Sequence, residues 1–176
     1  AVVHYNGKKF DIPKLNGEFL KHDMPPPPPP YQIDLYHTVK QNFKLTSHKL
    51  DFVARHLGVE GKVQHKGMDL WSGCMKGNKA DWKVMKEYNI GDVILLERVY
   101  PRLLPWIKNG PNLALYSDST EVMCPSCGSN NVQKRGFYKT PTQTYQRHRC
   151  GDCFSWSKAR VTMLSPIKRK SVLVKI

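Results

Sequence analysis

The chain has 176 residues and carries 28 Lys and Arg against 14 Asp and Glu, a formal net charge of +14. That length allows one domain, or a domain with a small appendage, and the positive field draws polyanions and releases their counterions on binding. No signal-peptide pattern, bilayer-spanning apolar run or amphipathic helix with a basic face stands out, which disfavours a membrane partner. Nucleic acid is the expected partner, and a soluble protein that is merely basic is the alternative. The expected location is the cytoplasm, or the host cytoplasm for a viral protein.

In chain order, Ala1 to Tyr5 reads as a short β-strand running into Asn6-Gly7. Residues 11–22 (DIPKLNGEFLKH) are predicted helical, with Asp11 able to cap the start and Pro13 tolerated in the first turn. The six prolines Pro25 to Pro30 impose extended polyproline II. This is read as a rigid connector, with a ligand for a proline-recognition domain as the alternative. Tyr31 to Tyr36 (YQIDLY) reads as a strand. Thr46 or Ser47 can cap the next helix, whose Leu50, Val53, Ala54 and Leu57 lie at helical spacing and which Gly58 ends.

Residues 59–77 read as a Gly- and Lys-containing loop. Two helices follow, Asn78 to Tyr88 and Ile90 to Tyr100, the second capped by Asn89 with Asp92 placed as in a capping box. Leu103, Leu104 and Trp106 are expected to pack back on it. The tail SPIKRKSVLVKI joins a basic cluster to a strand-like run. The element order suggests an α/β fold over residues 1–116, a stretch long enough for a hydrophobic core, followed by a small module at 117–160 and a basic tail at 161–176.

The module is defined by Cys124, Cys127, Cys150 and Cys153, two Cys-x-x-Cys pairs separated by 22 residues. Each pair fits a tight turn that aims two thiolates at one point, and two such turns close a tetrahedral four-thiolate site, the usual geometry of structural zinc. A redox Cys-x-x-Cys is a poorer fit to two matched pairs. With few large aliphatic residues nearby, the module is expected to need its metal to fold. Cys74 is left over as a plain thiol, a usage that suggests a reducing compartment.

Two carboxylates stand where chemistry can occur. Asp11 follows a strand and a turn, at the end where open α/β sheets bind ligands, although an N-cap role explains it as well. Tyr88 and Asp92, four residues apart, can face one way on a helix. Asp92 can then ligate a divalent cation while Tyr88 holds a water, the bland alternative being a core tyrosine and a capping aspartate.

Taken together and in this order, Asn6-x-x-x-Phe10-Asp11 and Tyr88-x-x-x-Asp92 resemble the second and third motifs of the DnaQ-like (DEDDy) 3′–5′ exonucleases of the ribonuclease H-like fold. KFDIPKLNGEFL, IDLYHTV and KLDFVARHLGV resemble a predicted bacterial and phage branch of that family. The resemblance covers residues 1 to about 108. It implies two divalent ions, Mg2+ or Mn2+, about 4 Å apart at the scissile phosphate. Asp92 would ligate the ion that binds the attacking water, Asp11 would hold the second ion and Tyr88 would orient the water. Asn6 and Phe10 would shape and pack the turn. Asp34 matches a recurrent acidic position to which no metal is assigned.

The family's first motif, Asp-x-Glu, occurs nowhere in this sequence. The resemblance therefore implies a partial ribonuclease H-like domain starting at about the fourth strand, with roughly 60–70 residues and two carboxylates not included. The sequence is then a fragment, is completed by a second chain, or has lost catalysis and kept binding. Missing strands would leave a sheet edge and apolar surface exposed.

Between the cysteine pairs, Lys134, Arg135, Lys139, Arg147 and Arg149 are interleaved with Phe137, Tyr138 and Tyr145. That mixture suits phosphate contacts and base stacking. Gly128 and Gly151 fall where a knuckle turn can use positive φ. The segment resembles zinc ribbons of transposases and other DNA-handling proteins, a purely structural ribbon being the alternative. The expected function is metal-dependent 3′–5′ exonucleolytic hydrolysis, with Zn2+ as structural ion and DNA favoured over RNA as partner. The alternative is a non-catalytic nucleic-acid-binding module of a viral or bacterial replication or recombination assembly.

Overall fold

In chain order, Val2–His4 (β1) pairs in parallel with Gln32–Asp34 (β2), in the register Val2↔Gln32, Val3↔Ile33 and His4↔Asp34. Parallel strands need a crossover, supplied here by the helix Asp11–Lys21 (α1). The proline run then leads the chain to β2, where the Val2 N–H donates to Tyr31 O at 2.7 Å. This computed structural model describes residues 1–59 and 67–174. The chain divides into two compact units, Ala1–Leu103 and Leu104–Ile176.

The strand expected over Tyr31 to Tyr36 stops at Asp34, because the Asp34 carboxylate caps a further helix, Leu35–Asn42 (α2). It accepts from the N–H groups of Tyr36 and His37, while Leu35 and Val39, one turn apart, are fully buried. The next helix, Leu50–His56 (α3), has Lys49 rather than Thr46 or Ser47 at its N-cap. The Ser47 hydroxyl instead accepts from the Lys49 N–H at 3.3 Å and turns the chain ahead of the helix. Gly58, at φ +67°, ends it as expected.

Met68–Met75 (α4) is a helix within the stretch expected as loop, held by the buried pair Leu70 and Cys74. Of that loop, residues 60–66 lie outside the described residues. The two helices expected on either side of Asn89 are one, Lys79–Leu103 (α5). Asn89 and Asp92 are therefore interior residues, and the capping carboxamide is that of Asn78, which accepts from the Ala80 N–H at 2.9 Å. Leu95, Val99 and Leu103 recur every four residues as a buried stripe, so packing carries the helix through Pro101 in its last turn. Helices α2, α3 and α4 all pack on α5.

The second unit is an antiparallel sheet of Val132–Lys139 (β3), Thr144–Cys150 (β4) and Trp156–Lys158 (β5), in that order. Residues 104–116, expected with the first domain, cluster with this unit, where the Leu113 N–H donates to Pro125 O at 2.8 Å. In the tail, Pro166–Ser171 forms a short helix (α6), with Ser165 as N-cap accepting from the Lys168 N–H. The strand-like run expected after it has no strand over 172–174, and residues 175 and 176 lie outside the described residues. Among the described residues, no helix is long and apolar enough to cross a membrane.

The stripe on α5 yields a directional test. Leu95 is 1 % exposed and its neighbour Ile94 is 43 % exposed. Leu95→Ala is expected to lower unfolding free energy by about 2–5 kcal/mol, and Ile94→Ala by less than about 1 kcal/mol, in urea titrations followed by circular dichroism.

Candidate functional site

At the carboxyl ends of β1 and β2, one carboxylate organises the turn that follows β1. Asp34 Oδ1 accepts from the Asn6 N–H at 2.9 Å, the Tyr36 N–H at 3.0 Å and the His37 N–H at 3.5 Å. Asn6 takes the left-handed conformation, φ +64°, that an asparagine tolerates better than most residues. The Gly7 N–H donates to His4 Nδ1 at 3.1 Å, which leaves the proton of a neutral His4 ring on Nε2. His4 Nδ1 lies 3.6 Å from Asp34 Oδ2. The turn then delivers Asp11 as the first residue of α1.

Asp11 is not the N-cap. Phe10 holds that position without a side-chain bond, and Asp11 sits inside the first turn with an exposed side chain. Its Oδ2 lies beside Gly7, 3.0 Å from the point a Cβ there would occupy. The carboxylate is thus free of capping and stands at the electropositive end of an 11-residue helix. Phe10, expected to pack the turn, is exposed instead. A hollow of about 520 Å³ opens beside the turn, lined among others by Tyr5, Asn6, Tyr36 and His48. The Tyr5 hydroxyl donates to His48 O, and its pKa is pushed up by burial and the neighbouring Tyr36, which keeps it neutral.

Tyr88 and Asp92 are one turn apart on α5, both half-buried. Asp92 heads the stripe that continues as Leu95, Val99 and Leu103, so its side chain emerges where the buried face meets solvent. Asp11 and Asp92 belong to no common group of three or more metal-ligating side chains. Among the described residues, the only such group is that of the four cysteines.

Those four sulfurs lie within 4.8 Å of one another. Cys124 and Cys153 are 3.5 Å apart, and Cys127 and Cys150 are 3.6 Å apart. Sulfurs about 2.3 Å from one tetrahedral ion stand about 3.8 Å apart, so the set fits zinc, and all four cysteines are free of disulfides. Burial pushes the Cys124 and Cys127 thiols up. Burial also acts to raise Cys150, but N–H groups of Cys153 and Asp152 and the thiols of Cys127 and Cys153 outweigh it and bring that group to about 7. A cation among the sulfurs removes the cost of ionising several thiols in one small space.

The knuckles are tied together around the sulfurs. Asp152 of the second accepts from the Ser129 hydroxyl at 2.5 Å and the Asn131 amide at 2.7 Å, and these bonds hold its carboxyl below its usual range. The Gly151 N–H donates to Asn131 O at 2.7 Å. Gly128 has the expected positive φ of +76°, whereas Gly151 does not have a positive φ. Gly151 is required for space, since a Cβ there would stand 2.4 Å from Asn131 Nδ2.

The sheet sorts the residues expected to contact nucleic acid. Tyr138 is paired with Tyr145, and Arg147 and Arg149 alternate with Tyr145 along β4, so these four share a face. Phe137 and Lys139 pair with Gln146 and Thr144, and Lys134 with His148, on the opposite face. Arg135 lies in the bulge opposite Arg147, whose Nε donates to Arg135 O at 2.9 Å. The first face also carries Trp156 and Lys158, paired with Arg149 and Arg147 and absent from the sequence-based set. The period-two alternation of Trp-Ser-Lys after the second knuckle is the signal that points to them.

Metal removal tests this assembly. One zinc per chain is expected by elemental analysis, and chelation is expected to abolish amide protection in β3–β5 while leaving the helices of the first unit unchanged. Cys124→Ser should lose the ion. Gly151→Ala, which forces Asn131 off Asp152, should weaken zinc affinity by roughly ten-fold or more. Undiminished zinc content in Cys124→Ser would contradict the four-thiolate assignment.

A family model described as the RNase H superfamily matches residues 1–104. No curated protein and no solved structure matches the chain. The matched stretch begins with β1 and runs through α5, so it takes in Asp11, Asp34, Tyr88 and Asp92 and covers 104 of the 176 residues. This chain belongs to the RNase H superfamily.

Proposed function

We propose that the chain is part of a metal-dependent 3′–5′ exonuclease of the DnaQ-like type, from a bacterial or phage lineage. In this reading residues 1–116 carry the exonuclease-like domain, its stretch from 104 onward clustering with the second unit, 117–160 form a zinc ribbon that holds the substrate strand and 161–176 a basic tail. The observation that carries it is the superfamily match over residues 1–104, which contains an uncapped carboxylate at the head of α1 and a Tyr–Asp pair one turn apart on α5. DNA is the favoured substrate.

Asp11 and Asp92 would hold divalent ions, which when bound supply a hydroxide at neutral pH and stabilise charge on the phosphoryl oxygens. Tyr88 would orient the attacking water through its hydroxyl. Asp34 would act at one remove, fixing the Asn6 turn and hence the position of Asp11. The Asp-x-Glu pair would come from residues beyond these 176, in a longer chain or a second one.

Two features support an incomplete sheet. A two-stranded parallel sheet is not self-sufficient, because parallel strands are normally buried on both faces and flanked by others. Apolar side chains also stand exposed on helices of the same unit, among them Leu15 on α1 and Ile90, Val93 and Ile94 on α5. Neighbouring strands would cover such residues.

The second reading is a non-catalytic nucleic-acid-binding module, favoured by the lack of any Asp-x-Glu in the sequence. Digestion of a 5′-labelled single-stranded oligonucleotide separates the two. With the residues that supply Asp-x-Glu present, in the longer chain or the second one, the exonuclease reading expects a ladder shortening from the 3′ end in Mg2+ or Mn2+ and none in EDTA. Asp11→Asn and Asp92→Asn should each reduce the rate at least 100-fold, on the order of a lost electrostatic stabiliser, with oligonucleotide affinity nearly unchanged. Equal hydrolysis by both variants would remove these carboxylates from the mechanism. Salt-sensitive binding without hydrolysis would favour the second reading.

A further inference from the structure

One face of the β3–β5 sheet combines rings and cations without a single acidic residue on any of its strands. Arg147 lies over the Trp156 ring at 4.6 Å, and Lys158 lies 4.3 Å from the Tyr145 ring and 4.9 Å from that of Tyr138. Arg149 stands over Phe154 at 5.3 Å. The rings remain open: Tyr138 is 45 % exposed, Trp156 54 % and Phe154 56 %. The opposite face differs, because it carries the buried His148 and Cys150 toward the sulfur cluster.

Phe154 adds a second kind of observation. It follows the second cysteine pair at φ +62°, the counterpart of Gly128 after the first pair at φ +76°. A glycine meets that backbone demand freely, whereas a phenylalanine there is strained. Strain of this kind collects at functional positions. The position thus holds an exposed ring where backbone geometry alone favours glycine.

We propose that this face is a stacking platform for single-stranded nucleic acid. Trp156, Phe154 and Tyr138 take unpaired bases, and Arg147, Arg149 and Lys158 take the phosphates between them. Three rings interleaved with three cations match the alternation of base and phosphate along one strand, and stacking on flat rings requires bases released from a duplex. Every base has a π face, so the platform is tolerant of sequence. The inference rests on the reading of the second unit as the substrate-holding part of the protein.

The test uses the zinc-loaded full chain without Mg2+ or Mn2+ and measures fluorescence anisotropy at fixed salt. The probes are labelled oligonucleotides of roughly 12 nucleotides, within the span a small single-strand site covers: oligo-dT, an abasic backbone of the same length, and a duplex. Oligo-dT is expected to bind roughly ten-fold or more tighter than the abasic strand, and tighter than the duplex. Trp156→Ala should erase most of that preference, and Val122→Ala, at an exposed residue outside the three strands, should keep it. Zinc content checks folding. Phe154→Gly, which relieves the backbone, carries the same test if Trp156→Ala loses zinc.

Equal affinity for oligo-dT and the abasic strand overturns the platform while leaving charge-driven binding intact. So does a Trp156→Ala or Phe154→Gly protein that keeps the full preference, or tighter binding of the duplex. Absence of binding to any probe overturns the substrate-holding reading as well.

Discussion

Four sulfurs held within 4.8 Å set the terms for the second half of this protein. Among the described residues that unit buries little: Cys124 and Cys150 of the four cysteines, with His148, Ser155 and Leu104. A sheet of three short strands cannot stabilise itself on so small a core, and an ion held by the sulfurs would supply the free energy that aliphatic packing supplies elsewhere. Structural zinc provides about 10–16 kcal/mol, far beyond what the sheet's surface contacts can offer. The Asp152–Ser129–Asn131 bonds and the crowded Gly151 fix the two knuckles to each other. Which face of the sheet carries Tyr138, Arg147 and Trp156 follows from that, since Cys150 points at the other three sulfurs and Arg147 and Arg149 in β4 lie on the other face.

The first unit rests on a different principle. Its core is aliphatic, built from Ile33, Leu35, Val39 and Val53 against the Leu95, Val99 and Leu103 stripe of α5. Asp34 connects that core to the candidate chemistry. One carboxylate ends β2, caps α2 and holds the turn before α1, so the start of α1 is positioned by the same residue that begins the packed helices. Membership of the RNase H superfamily points to nuclease-like action on nucleic acid, and the proposed roles of Asp11 and Asp92 rest on that membership.

Much of this was legible in the sequence where spacing alone determines the answer. The two Cys-x-x-Cys pairs pointed to the four-sulfur cluster by their spacing; the superfamily was reached instead by resemblance, through the Asn6-to-Asp11 and Tyr88-to-Asp92 patterns taken together. The errors came where local propensity competed with packing. Asp34 reads as the middle of a strand, but its carboxylate caps α2 and so makes it the last ladder residue of β2. Asn89 reads as a helix boundary, yet the stripe after it carries one helix from Lys79 to Leu103. Glycines at 67, 73 and 77 disguise α4, which is held by the tertiary burial of Leu70 and Cys74. The cation–aromatic set between the cysteines was visible as composition, but only strand register divides it between two faces and adds Trp156 and Lys158, and only the fold sets Phe154 beside Arg149.

The role proposed for the second unit is that its cationic sheet, held by a metal at the four sulfurs, grips nucleic acid. The most direct measurement is single-strand affinity against salt concentration, with zinc bound and after its removal. The claim predicts log affinity falling linearly with log salt when zinc is bound, by about 0.7 per phosphate neutralised. It also predicts a much weaker affinity at physiological salt once the ion is stripped. Identical affinity and slope with and without zinc would contradict it, because binding would then owe nothing to the folded sheet.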